Sequence, residues 1–286
     1  IATSSPSALL TLAGAGNFLQ TAQGTPVEIG GVDLATAANA IFVVGKYAYI
    51  GTGAEDRFRI IDIARPDAPV TEGTISLPAS ATDIFVSGRY AYVTNQSVAG
   101  TSCPTQCEFR IIDVSNAQAP VEVTGSSLSL DNTDANAVYV VGKYAYVGTN
   151  DNATAADFYI IDISDPSAPL IVSSTDVSAS VNAIYVSGKF AYVGASGTTN
   201  NFKIYDISNP ASPLLVSNFD AGTGVNALYV SGKYAYVGNE ATSADFIIID
   251  VSNPASPSSV ATLDLADVVN SLSVAGRYVY AVITTA

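Results

Sequence analysis

Histidine, tryptophan and methionine are absent from this 286-residue sequence, cysteine occurs twice, and charged residues make up only 13% of it. Each shortage excludes something. Without histidine there is no imidazole base to activate a nucleophile and no His-ligated metal. Positive charge is scarce, with 11 Lys and Arg against 25 Asp and Glu and a net charge of −14. Neutralising nucleic-acid phosphates needs clustered Lys and Arg, so DNA and RNA are excluded as partners, and docking on an anionic membrane surface is disfavoured. No apolar run approaches the roughly 18–20 residues of a membrane span. A chain without methionine does not begin where translation began, so Ile1 is a processed end or the start of a fragment. A removed secretion signal is the simplest cause, and the expectation is an extracellular or cell-surface location.

The two cysteines, Cys103 and Cys107, lie in the polar stretch TSCPTQC. A zinc site needs two more soft ligands, which are missing. A local disulfide is expected, in keeping with an oxidising compartment. Asn95 and Asn152 head the sequons NQS and NAT, candidate glycosylation sites in expected loops.

What is present is repetition. The phrase SGKFAYVG at 187–194 returns as VGKYAYIG, SGRYAYVT, VGKYAYVG, SGKYAYVG and AGRYVYAV. Its turn glycines, Gly45, Gly88, Gly142, Gly188, Gly232 and Gly276, are separated by 43, 54, 46, 44 and 44 residues. A period of roughly 40–45 residues holding four short strands is a propeller blade. One unit reads NAIYVSG, a tight Gly-Lys turn, FAYVGA, a polar loop, NFKIYDIS, the breaker NPASP, and LLVSNFD. In YAY the two aromatics share one face of a strand and Ala takes the other. A bulky face of one blade then meets a small face of the next.

The expected fold is all-β, a six-bladed β-propeller of four-stranded blades. The chain stops after its sixth first-and-second strand pair, so the last blade is closed by N- and C-terminal segments. TPVEIGGVDL at 25–34 is the expected fourth strand, with a third strand within 8–22. The domain reading is an N-terminal extension, 1–13, which is either an inter-subunit strand or a segment folded back onto its own outer blade, and one propeller domain, 14–286.

The phrases YVSGKFAYVG, FKIYDIS and NPASP, with their copies, resemble the LVIVD-repeat family of bacterial and archaeal surface proteins. The resemblance runs from residue 25 to 286. It implies an extracellular propeller and no general activity.

Three rings of polar residues are candidates for function. Asp62, Asp113, Asp162, Asp206 and Asp250 end the third strands and read as caps of the following turn rather than metal ligands. Asn39, Asp83, Asn136, Asn182, Asn226 and Asn270 open the first strands and would gather at one mouth of the axial channel. They suit an ion, a small polar ligand or turn caps, and calcium is the one metal such an oxygen-only set would take. Lys46, Arg89, Lys143, Lys189, Lys233 and Arg277 follow the turn glycines and make a cationic ring on one face. The opposite face carries acidic loops, so the disc is expected to be electrically polar.

The leading reading is a secreted, non-enzymatic structural or adhesive module. It self-associates head to tail with N-terminal strand exchange, or binds other surface proteins. No cofactor and no catalytic residue is assigned. The competing readings are a ligand- or calcium-binding propeller and a carboxylate-dependent hydrolase of carbohydrate or ester.

Overall fold

The structure is a computed structural model that describes residues 9–13, 16–20, 28–53, 56–97, 107–152, 155–241 and 243–284. Every regular element among them is a strand, and the strands form six four-stranded sheets.

Blade 1 is β3 (Ala38–Val44), β4 (Tyr47–Thr52), β5 (Phe58–Asp62) and β6 (Val70–Ile75). Blade 2 is β7 (Ala81–Ser87), β8 (Tyr90–Asn95), β9 (Phe109–Asp113) and the short β10 (Val121–Glu122). Blade 3 is β11 (Ala135–Val141), β12 (Tyr144–Thr149), β13 (Phe158–Asp162) and β14 (Leu170–Thr175). Blade 4 is β15 (Val181–Ser187), β16 (Phe190–Ala195), β17 (Phe202–Asp206) and β18 (Leu214–Phe219). Blade 5 is β19 (Val225–Ser231), β20 (Tyr234–Asn239), β21 (Phe246–Asp250) and β22 (Ser258–Leu263). Blade 6 joins β23 (Val269–Ala275) and β24 (Tyr278–Ile283) to β1 (Leu9–Ala13) and β2 (Gly16–Gln20), in the order β2-β1-β24-β23.

The termini therefore share the last blade, as the strand count requires. The third strand lies within the expected 8–22, and the fourth differs from expectation. Residues 9–13 supply the third strand and 16–20 the fourth, while 28–34 form no strand. Leu10 pairs with Val279 and Thr11 with Tyr278 of the same chain. Residues 9–13 are thus part of the propeller and are not left over as an inter-subunit strand, which moves the expected boundary at 13/14. Residues 1–8 lie outside the described residues. The physical reason is that β24 needs a partner along its outer edge, and the nearest apolar segment able to hairpin is LLTLA with GNFLQ.

Each blade begins with the same hairpin. Gly188 has φ +59°, the left-handed conformation that the two-residue turn demands and that L side chains rarely adopt. Between blades the packing is bulk against small. Tyr146, Phe158 and Ile160 of blade 3 pack on Ala191, Val193, Ile184 and Val186 of blade 4. In blades 1, 3, 4 and 5 the second strand carries glycine where it meets the next blade. A Cβ on Gly148 would sit 2.3 Å from Val181 Cγ1, and one on Gly194 2.4 Å from Val225 Cγ1.

Five such cores join consecutive blades from 1 to 6. The junction between blade 6 and blade 1 is not packed this way. On blade 1 the segment 28–34 covers only the outer part, where Val32 and Leu34 lie against Ala48, Ile50 and Ile61. Ile41 is 65% exposed, whereas its counterpart Ile84 is 2% exposed.

Candidate functional site

The aspartates that end the third strands do cap the turns that follow. Asp62 accepts the Ala64 N–H at 2.8 Å, and Asp113, Asp162, Asp206 and Asp250 accept the N–H of Ser115, Ser164, Ser208 and Ser252 at 2.8–2.9 Å. The second carboxylate oxygen of each takes a cation from the turn ring. Lys46 pairs with Asp62 at 2.7 Å, Lys143 with Asp162 at 3.2 Å, Lys189 with Asp206 at 2.9 Å and Lys233 with Asp250 at 3.5 Å, while Arg89 pairs with Asp113. Each cation also lies over the ring of the next residue, 4.7–5.4 Å from its centroid. The Arg89 bond, followed by the Ser115 contacts, holds the Asp113 carboxyl down at about 2. The Ser208 hydroxyl, then Lys189, hold Asp206 at about 2. The expected cationic face is thus largely neutralised by the aspartate ring beside it. The sequence places the two rings in register, but only the fold brings the first turn against the end of the third strand. Among the described residues Arg277 is the exception, lying over Tyr278 with none of these carboxylate pairs.

Five of the six residues expected at the channel mouth share one backbone position. Asn39, Asn136, Asn182, Asn226 and Asn270 all sit at the bulge where the first strand skips one register position. In blade 2 that position is Thr82, not Asp83. Asp83 matches the asparagines in chemistry but not in position, and one residue of slip sends a side chain to the other face. Four of the six bulge residues clasp the next blade. Asn39 Nδ2 donates to the Ala81 carbonyl at 3.0 Å, Thr82 Oγ1 to Ala135 O at 2.5 Å, Asn136 Nδ2 to Val181 O at 3.4 Å, and Asn182 Nδ2 to Val225 O at 3.3 Å. Asn226 bonds Glu240 at 3.2 Å and Asn270 bonds Thr284 at 2.5 Å within their own blades.

Asp83 takes a different part. Its Oδ1 accepts the Ile84 N–H and its Oδ2 the Val138 N–H of the next blade, both at 2.8 Å. Enclosure of the carboxylate pushes its pKa up to about 6, and the two backbone bonds pull only partly against that. Among the described residues no group of three or more His, Cys, Asp or Glu side chains is arranged to hold a metal ion.

Two further rings escaped the sequence reading. Three residues beyond each bulge stand Phe42, Phe85, Tyr139, Tyr185 and Tyr229, with successive ring centroids 4.8–5.0 Å apart. Ser273 takes this place in blade 6. Burial, followed by the Tyr139 hydroxyl, pushes the Tyr185 hydroxyl up to about 12. The signal was present as an aromatic three residues after Asn39, Asn136, Asn182 and Asn226. The second ring precedes the third strand. Glu108, Asp157, Asn201 and Asp245 accept backbone N–H groups of Leu130, Val177, Ala221 and Leu265 at 2.7–2.9 Å, pinning the connection into the next blade. Different residue types at that position hid it.

Asn95 is fully buried and its amide donates to the Ala79 carbonyl at 3.2 Å, so the first sequon does not present an accessible acceptor in the folded protein. Asn152 is partly exposed. Cys107 is buried and is not a free thiol. Cys103 lies outside the described residues.

The family model of the LVIVD repeat matches residues 35–76, 78–99, 133–177, 179–221 and 224–264. The chain belongs to the LVIVD repeat family. The matches cover blades 1, 3, 4 and 5 and the first two strands of blade 2, and the stretch with the two cysteines falls between matches. No curated protein matches the sequence. Among solved structures the LVIVD chain is similar to a protein from Lactobacillus plantarum, with a TM-score of 0.64 at 12% identity, covering 82% of this chain and 73% of that one. It is similar to the computationally designed Ika8 protein, with a TM-score of 0.62 at 12% identity over 86% and 67% of the two chains. It is also similar to the periplasmic gluconolactonase PpgL of Pseudomonas aeruginosa, with a TM-score of 0.61 at 12% identity over 77% and 67%. At these identities the likeness is one of fold.

Proposed function

We propose that this LVIVD protein is a secreted, non-enzymatic structural module of the cell surface, the self-associating subunit of an extracellular filament. One observation carries the reading. The polar residues that recur around the molecule are engaged in holding it together, whereas the sheet faces of blades 1 and 6 are exposed and apolar. The aspartates cap turns and pair with the turn cations. The asparagines clasp neighbouring blades or bond within their own. Asp83 has both oxygens on backbone N–H groups. By contrast Ile41, Val43, Tyr280 and Val282 are more than half exposed. Large exposed apolar faces mark interaction surfaces.

Secretion is supported by the two cysteines. We pair Cys107 with Cys103, and thiol counting on unreduced, denatured protein is expected to find no free thiol. Two free thiols would remove that support. Assembly is tested by sedimentation and electron microscopy of the purified chain across concentration. Elongated assemblies are expected, and a monomer at every concentration overturns the reading. The absence of catalysis is tested separately. Turnover of a glycoside or lactone panel that Asp83→Asn abolishes would make the protein an enzyme.

A further inference from the structure

We propose that the exposed faces of blade 1 and blade 6 are the two halves of one blade junction, formed between copies of this chain, with blade 6 of one copy seated on blade 1 of the next. The inference rests on the self-association reading and specifies its contact.

The exposed residues are those that every other junction buries. Ile41 and Val43 on β3 are 65% and 54% exposed, while their counterparts Ile84 and Val86 on β7 are 2% and 7% exposed. Tyr280 on β24 is 52% exposed, while Tyr146 and Tyr192 at the same place in β12 and β16 are 4% and 5% exposed. The sequence built both faces for contact. Five junctions of the same design already exist within the chain, so the sixth continues an interface the protein repeats.

The two faces also fit each other in size. At each closed junction one position of the second strand meets the first residue of the next blade. The register makes Gly51, Thr94, Gly148, Gly194 and Gly238 equivalent to Val282. Where the second strand has glycine, the next blade begins with Ala81, Val181, Val225 or Val269, and an added Cβ would sit 2.3–2.4 Å from the valine methyls but 2.9 Å from the Ala81 Cβ. Where it has Thr94, the next blade begins with the smaller Ala135. Valine and threonine have nearly the same shape. Val282 opposite Ala38 of blade 1 therefore repeats the Thr94–Ala135 combination. Val282 opposite a valine would clash.

Blade 1 is prepared in a second way. Leu34 lies on its outer part in the place that Leu77 takes at the closed junction between blades 1 and 2. Only the inner part, at Ile41 and Val43, lacks its cover. Blade 6 holds the matching donor, since Asn270 is equivalent to Asn136 and Asn182, which donate to the first carbonyl of the following blade. In the open junction Asn270 bonds Thr284 of its own blade instead.

The two faces are complementary and not identical. A contact between them is heterologous, each copy keeps one face of each kind free, and the assembly extends rather than stopping at a dimer.

The test uses full chains carrying one cysteine substitution each. In a junction of this design the facing Cβ atoms come within disulfide reach. Copies with Ala38→Cys are mixed with copies with Val282→Cys and oxidised mildly, and the linked peptides are identified by mass spectrometry. A dimer joining positions 38 and 282 is expected from the mixture and from neither variant alone. Both positions are exposed, and circular dichroism checks that each variant folds. Val282→Lys is expected to shift assemblies to monomers with the fold unchanged. A link formed only within one chain, when both substitutions are in the same copy, means that the ring closes on itself and overturns the proposal. No link in either arm overturns it as well. If the unsubstituted protein assembles while the link is absent, the junction fails and the self-association reading stands. If it never assembles, both fail.

Discussion

At the scale of single residues, the carboxylates divide into two groups with opposite pH behaviour. Asp83 is enclosed and its folded pKa is raised to about 6, above the 3.8 of the free group. The folded state thus binds this proton more tightly than the unfolded state. Stability from this group is fully present below about pH 4 and is lost as pH rises to about 6. Asp113 and Asp206, held at about 2, run the other way. Their contribution is present above pH 4 and is lost as pH falls toward 2. Asp83→Asn is expected to remove the loss between pH 4 and 6, so that the stability difference between the two proteins changes over that window by about 1–3 kcal/mol, from the size of the shift. Denaturant unfolding at a series of pH values measures it, and a difference that stays constant across the window refutes the assignment. Register explains why the sequence misplaced this residue. Asp83 looks like an asparagine of the mouth ring, but the bulge falls on Thr82.

At the scale of strands, the second strand of each blade decides how closely the next blade approaches. Gly148→Thr places a Cβ against Val181, and overpacking of this kind costs about 1–3 kcal/mol. Adding Val181→Ala recreates the Thr94–Ala135 combination and is expected to recover most of the loss. Unfolding of the single and double variants measures both, and a double variant no more stable than Gly148→Thr alone would show that the size match is not what sets the junction. The strands themselves were legible because Gly-Lys and Gly-Arg turns, aromatic alternation and Pro breaks recur in order. The exception is the N-terminal hairpin. Residues 25–34 resemble a fourth strand in sequence, but they lead directly into β3, and 28–34 lie over blade 1. The outer edge of β24 is paired by β1 instead.

At the scale of the whole molecule, the charge pattern and the apolar faces predict opposite responses to salt. Stacking of a cationic face on an acidic one would weaken with salt, because exposed charges are screened beyond about 8 Å at physiological ionic strength. Here five turn cations are paired with aspartates of their own blades. Assembly through the faces of blades 1 and 6 buries apolar surface, which salting-out anions strengthen. Sedimentation in rising sodium sulfate is expected to show larger assemblies. Dissociation with added salt would return the contact to the charged faces.

The sequence by itself determined the blade, its period, its turns, the number of blades and the sharing of the last one between both termini. These follow from local rules: alternation, turn chemistry and breakers act within a few residues of each other, and repetition writes them six times. The aspartate caps were legible for the same reason, since Asp62 and Ala64 are two residues apart. The tertiary structure decided what depends on contacts across blades. It paired the turn cations with the third-strand aspartates, set the asparagine clasps, enclosed Asp83 against Val138 and aligned the aromatic belt. It also left the junction between blade 6 and blade 1 unpacked, because a repeat specifies each neighbouring contact, whereas closing the circle depends on how all the blade-to-blade angles add together.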